Sequence, residues 1–318
     1  MLPRCFPGKE QIGEKPCAAA LLGSRPASAG WNTLAAMPQP EQGAAVESID
    51  GVVYVAGGFA GANLATLQAF QPTTNSWTTR AAMPGPRYSG NGAGVIDGQL
   101  YVAGGWTQSP PQPNNSLYVY DPRTNSWASR ARMPHLSACG ATGVIAGKLY
   151  VTTACDGFSG YVNFLDVYDP DTDAWTAFPD SASAHSQGAA GVINGQLYLA
   201  GGLQADGSIT NLLEVYDPST GHWTTLAPMP RAVQVPASAV LSGQLYVFGG
   251  QLRGGRPSNS VQIYDPHTNA WTTATMPAAR WGAGAAVTYG IAFVSGGVSG
   301  SGTLLALNAD LIVTPSIP

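Results

Sequence analysis

The sequence is poor in charge. Only 10% of its 318 residues are charged, and 14 Lys and Arg against 18 Asp and Glu leave a formal net charge of −4. Binding a polyanion needs a basic stripe that can displace its counterions, so nucleic acid is not expected as a partner. Cysteine and histidine are also scarce, with 4 residues each, below the density of a disulfide scaffold. Long apolar runs are missing too. Cys17 to Leu22, the longest near the start, is too short for a membrane span and thin for a signal-peptide core, so no membrane insertion is expected. The compartment stays open, with a composition compatible with a secreted or cell-surface protein. Residues 1–28 mix Pro, Gly, Lys, Glu and two Cys without periodicity and read as an unstructured leader.

What the chain has is glycine, proline and aromatics: 40 Gly, 25 Pro, 8 Trp and 13 Tyr within 44% hydrophobic residues. That is core material, so the Gly and Pro must punctuate short elements rather than maintain disorder. The punctuation is periodic. Ile-Asp-Gly-Gln-Leu-Tyr-Val-Ala-Gly-Gly at 96–105 recurs at 49–58, 193–202 and 241–250, with weaker copies at 145–154 and 288–297. Its aromatic falls at Tyr54, Tyr101, Tyr150, Tyr198, Tyr246 and Phe293, at intervals of 47, 49, 48, 48 and 47. A second element, Tyr-Asp-Pro-x-Thr-x-x-Trp, carries Trp127, Trp175, Trp223 and Trp271; Trp77 belongs to a variant copy, and Trp31 precedes it by 46 residues.

Each repeat specifies four short strands. The Asp-Gly or Asn-Gly dipeptide tolerates the positive φ of a tight hairpin, which makes an inner pair. Asp-Pro-x-Thr then turns a third strand into the Trp strand. A four-stranded sheet with two apolar faces cannot bury both alone, so copies must pack face to face around an axis. The last repeat lacks a Trp strand, with its third strand expected at Leu304–Leu307, whereas Trp31 to Pro38 is a lone Trp strand. The expectation is an all-β, six-bladed propeller of four-stranded antiparallel blades over residues 29–310. Its ring is closed by the N-terminal strand joining the three C-terminal ones, and residues 311–318 form a tail.

The diglycines, the spaced Tyr and Trp and the Met-Pro-x-x-Arg tail resemble the kelch repeat family, over all of the chain except its ends. That resemblance implies a propeller whose second-to-third-strand loops and inter-blade segments line one mouth of a central channel. It does not imply one activity, because this scaffold hosts adaptors, binders and a few enzymes.

The diglycines are not a phosphate cradle, since no helix follows them, and the phased tryptophans read as blade packing. His222 and His267 fall in turns at one end of the repeat, and His135 and His185 in connections at the other. They cannot converge, and no carboxylate or cysteine is spaced to complete a metal site; no metal or cofactor is expected. In the third repeat Thr153-Ala154 replaces the diglycine, and Cys139 and Cys155 lie eight residues either side of Gly147. A hairpin sets them opposite each other, as a disulfide or redox-sensitive pair or as two small buried thiols.

The candidate binding residues are those at the mouth: Trp106, Asp156, Tyr161, Gln204, Asp206, Gln251 and Arg253 from the loops, and Arg87, His185, Arg231, Gln234 and Trp281 from the inter-blade segments. Arg, Trp and Tyr combine large desolvated area with hydrogen-bonding ends. The leading expectation is a monomeric recognition module for a protein, a peptide or a small polar ligand, with no catalytic residue assigned. The alternative is a sugar isomerase resembling the kelch-type sialic acid mutarotase, which would need an acid/base group beside an anion-binding Arg. Arg253 and Arg256 lack a neighbouring carboxylate.

Overall fold

The computed structural model describes residues 30–88, 92–107, 112–156, 160–306 and 308–312, with backbone only for the last five. The expected leader at 1–28 and most of the expected tail lie outside them. Strand β1 is Gly30–Thr33. The first blade is β2 (Ala45–Ile49), β3 (Val52–Ala56), β4 (Leu67–Gln71) and β5 (Ser76–Arg80). The second is β6 (Ala93–Ile96), β7 (Gln99–Ala103), β8 (Leu117–Asp121) and β9 (Ser126–Arg130). The third is β10 (Ala141–Ile145), β11 (Lys148–Cys155), β12 (Tyr161–Asp169) and β13 (Ala174–Phe178). The fourth is β14 (Ala189–Ile193), β15 (Gln196–Ala200), β16 (Leu213–Asp217) and β17 (His222–Thr225). The fifth is β18 (Ala237–Leu241), β19 (Gln244–Phe248), β20 (Ser258–Asp265) and β21 (Ala270–Arg280). β22 (Gly284–Thr288), β23 (Ile291–Ser295) and β24 (Asn308–Ile312) follow.

Each of these five blades is a four-stranded antiparallel sheet in chain order, and a further four-stranded sheet runs β1-β24-β23-β22. The expected six-bladed ring is corrected accordingly. The blades complete in continuous chain number five. The remaining sheet is a composite of the two chain ends, and its third strand lies at Asn308–Ile312, beyond the expected Leu304–Leu307. The apolar Leu304 instead bridges Val298 and the Leu305 N–H donates to Gly297 O, so this stretch is the returning limb of a loop.

Inner hairpins turn where the sequence supplies left-handed residues. Asp50-Gly51, Asp97-Gly98, Asn194-Gly195 and Ser242-Gly243 all have φ between 47° and 87° at both positions, the geometry that matches strand twist. The diglycines serve close approach. A Cβ on Gly249 would stand 2.4 Å from Arg280 O, and one on Gly202 would stand 2.6 Å from Ser186 O. Where Thr153-Ala154 takes their place, β11 and β12 run on to eight and nine residues, and their register shifts between Thr153 and Cys155.

The core lies between blades. Tyrosines meet across the four gaps between the five continuous blades, among them Tyr54 against Tyr120 at 5.8 Å and Tyr198 against Tyr264 at 6.0 Å. The phased tryptophans act as staples. Trp77 Nε1 donates to Ala35 O, Trp127 to Ala81 O, Trp175 to Ala131 O, Trp223 to Pro179 O, Trp271 to Ala227 O and Trp31 to Thr275 O, all at 2.7–3.0 Å. Each bond crosses from one sheet to the sheet before it, so together they run the whole circuit. The inner strands β2, β6, β10, β14, β18 and β22 pack each against the next, and β22 against β2, around a central channel.

Candidate functional site

At the end of the channel where the inner strands begin, the same backbone position repeats from blade to blade with positive φ: Gly43, Cys139, Gln187, Val235 and Gly282, at 50–67°. Their amides form a belt. Gln187 N donates to Cys139 O at 2.6 Å, Val235 N to Gln187 O at 2.7 Å, Gly282 N to Val235 O at 2.9 Å and Gly43 N to Gly282 O at 2.8 Å. For the β-branched Val235 this conformation is strained, the kind of cost that concentrates at functional sites.

Outside the belt a rim is built from six antiparallel bridges: Gln42 with Phe59, Tyr88 with Trp106, Ala138 with Cys155, Ser186 with Leu203, Gln234 with Gln251, and Trp281 with Val298. None of the twelve side chains carries a full charge at neutral pH. One arc is aromatic and sulfur-bearing. Phe59 and Tyr88 stand 5.3 Å apart, Trp106 Nε1 points at Cys139 Sγ at 3.2 Å, and Tyr161 packs on Cys139 and Cys155. Amides stand elsewhere on the rim, on either side of the Trp281–Val298 bridge. Gln234 Nε2 donates to Gln251 Oε1 at 2.6 Å, and Gln42 Oε1 is a buried acceptor with no partner.

The structure thus brings together Trp106, Tyr161, Cys139 and Cys155, and separately Gln234 and Gln251. Cys139 and Cys155 are thiols, not a disulfide. Hydrogen bonding to Cys139 and burial push the Cys155 thiol well above its ordinary range, and its sulfur lies 3.2 Å from Ser186 Oγ. Trp281 joins the rim, and Asp156 sits half-buried beside it. Gln204 is tied to Ala184 O at 2.7 Å. Asp206, Arg231 and Arg253 are exposed; the Asp206 carboxylate caps its own turn through Ser208 N.

Two of the expected mouth residues turn inward. Arg87 is buried, with its guanidinium over the Tyr118 ring at 4.9 Å and donating to Ser116 Oγ at 2.6 Å. His185 is buried between Gly201 O, 2.8 Å from Nδ1, and Glu214 Oε2, 3.0 Å from Nε2. His135 is held in the same manner by Asp166 at 3.0 Å while stacking on Phe164. These histidines position inter-blade segments. The sequence carried a sign of it: in the blades that follow His135 and His185, Asp166 and Glu214 stand at the strand position that Gln68 and Gln262 fill elsewhere.

Sequence reasoning missed Phe59, Gln42 and Glu47. Phe59 and Gln42 occupy the repeat positions of Trp106 and Trp281 on the bridged rim. Glu47 pairs with Tyr54 across β2 and β3, where the other inner strands set Gly94, Gly143, Gly191, Ala239 and Ala286 opposite their own aromatics.

A family model, the Attractin/LZTR1 β-propeller, matches residues 53–304. The chain belongs to this family. The Attractin/LZTR1 β-propeller match and the blade architecture together identify a kelch-like propeller, a type of fold that generally mediates protein interaction. The solved structure of YjhT superposes with a TM-score of 0.77 at 22% sequence identity, covering 89% of this chain and 97% of that one, a likeness of fold. No curated protein matches the sequence. Among the described residues no group of three or more His, Cys, Asp or Glu could hold a metal ion.

Proposed function

We propose that this propeller is a recognition module whose rim binds a peptide segment. The observation that carries the reading is the rim itself, whose twelve uncharged side chains include the aromatic run of Phe59, Tyr88 and Trp106 and the amides of Gln42, Gln234 and Gln251. Aromatic rings supply large contact area at low conformational cost, and amides supply adaptable donors and acceptors. Neutral amides suit the alternating N–H and C=O groups of a peptide backbone.

The isomerase alternative gains no support from the arginines it needs. Arg253 and Arg256 are exposed on the loop that follows Gly250 and form no ion pair among the described residues. The test is a peptide display selection against the full chain, followed by affinity measurement on a variant carrying Trp106→Ala, Gln251→Ala and Trp281→Ala. Loss of tenfold or more in affinity is expected. Selected peptides that bind the triple variant as tightly as the wild type would overturn the reading.

A further inference from the structure

Below the rim, the channel contains one carboxylate that the peptide reading does not use. A cavity of about 170 Å³ runs inward from the belt positions Gly43, Cys139, Gln187, Val235 and Gly282, and a second of about 310 Å³ lies between the inner strands. Both are walled by Glu47 and otherwise mainly by Gly, Ala, Val and hydroxyl side chains. The hydroxyls are already engaged: Thr142 Oγ1 donates to Ala93 O at 2.6 Å and Ser238 Oγ to Ala190 O at 2.8 Å. They tie adjacent blades, so that besides the Gln187 amide at the mouth, which reaches toward Cys139 Sγ, Glu47 is the polar side chain left to a guest.

No Lys, Arg or His lines either cavity, and Glu47 makes no ion pair among the described residues. A half-buried carboxylate in a narrow channel, without a counter-charge, is costly, and either a proton or a cation relieves that cost. Consistent with this, burial pushes its carboxyl up to about 7 despite a hydrogen bond from the Ser48 amide. The neighbouring inner strands β6 and β22 carry no ionisable side chain, β3 faces it with Tyr54, and Cys139 at the mouth is the other titratable lining residue.

We propose that the channel holds the ammonium end of a linear primary amine against the Glu47 carboxylate. The narrow wall of small residues admits an alkyl chain, and the single acid fixes one cationic end. The amine is either free or the side chain of a lysine. This goes beyond the rim reading, since rim variants leave Glu47 in place.

The experiment is isothermal titration of the full chain with 1,5-diaminopentane and with Nα-acetyl-lysine amide, using 1,5-pentanediol as the uncharged comparison. At pH 8 one or both amines bind the wild type and the diol does not; binding of the diamine alone assigns a free amine, and binding of both admits a peptide side chain. At pH 6 the affinity falls about tenfold, because only the ionised fraction of Glu47 is competent. Glu47→Gln and Glu47→Ala abolish binding. Circular dichroism confirms that both variants fold, the second carrying the residue that Ala239 and Ala286 supply in other strands. Failure of both amines to bind the wild type, or equal binding by Glu47→Ala, overturns the proposal.

Discussion

The indole N–H of Trp31 donates to the backbone carbonyl of Thr275 at 2.9 Å, joining residues 244 positions apart. Its ring also meets Phe248 edge-on at 6.0 Å. One residue of the N-terminal strand thereby fastens the composite sheet to the fifth blade, while Trp77 fastens the first blade to the composite through Ala35. Without β1 the composite sheet would present an open edge and the circuit of staples would lack its last link.

Removing residues 1–40 is therefore expected to lower the melting temperature sharply, whereas removing residues 1–25 leaves it unchanged. Trp31→Ala should cost about 2 kcal/mol, less than for a fully buried tryptophan because the ring is only half-buried. Thermal unfolding of the three variants checks this; equal stability for both truncations would refute closure by β1.

Stability should fall as pH rises from about 4.5 to 8. Burial raises the Glu41 carboxyl from 4.5 to about 8, against a hydrogen bond from the Ala44 amide. Its Oε2 lies where a Cβ on Gly58 would be, 2.2 Å away, and has no partner. The folded state thus holds a proton that the unfolded state releases above 4.5, so folding is penalised by up to about 1.4 kcal/mol per pH unit across that window. Above about 8 both states are ionised and the penalty is constant. Glu41→Gln should weaken the dependence, leaving the part due to Glu47 between about 4.5 and 7, and be more stable than the wild type at pH 8, as read by urea denaturation at pH 5, 6.5 and 8.

The buried His185 should need its carboxylate partner less for charge than for hydrogen bonding. Gly201 O can only accept, so Nδ1 donates to it, and Nε2 lies within hydrogen-bond distance of Glu214 Oε2. Glu214→Ala leaves Nε2 buried and alone and should cost about 1–3 kcal/mol. Glu214→Gln lets a neutral imidazole accept from the amide and should cost far less. Equal losses in chemical denaturation would contradict this assignment.

Much of the ring was legible because its determinants are local and repeated. The hairpin dipeptides, the diglycines and the phased Trp each fix one contact that recurs about every 48 residues. What escaped depended on which way a loop side chain turns. Arg87 and His185 sit in surface-seeking segments, yet both point inward to partners 29–31 residues downstream, at Tyr118 and Glu214. Strand β24 escaped because Leu304 and Leu305 look more strand-like than Asn308–Ile312, although the former lie where every other loop returns to the rim. In the binding region the rim residues Trp106, Trp281, Gln234 and Gln251 were recognisable, and Phe59 and Gln42 emerged only from the bridges.

The eight tryptophans divide into six staples and two rim residues, so indole N–H resonances give the most direct test of recognition at the rim. The measurement is a two-dimensional ¹⁵N spectrum of the indole region, recorded while a display-selected peptide is titrated into the full chain. Trp106 and Trp281 should shift, with Trp31, Trp77, Trp127, Trp175, Trp223 and Trp271 unmoved. A peptide that saturates the protein while Trp106 and Trp281 stay in place would contradict it.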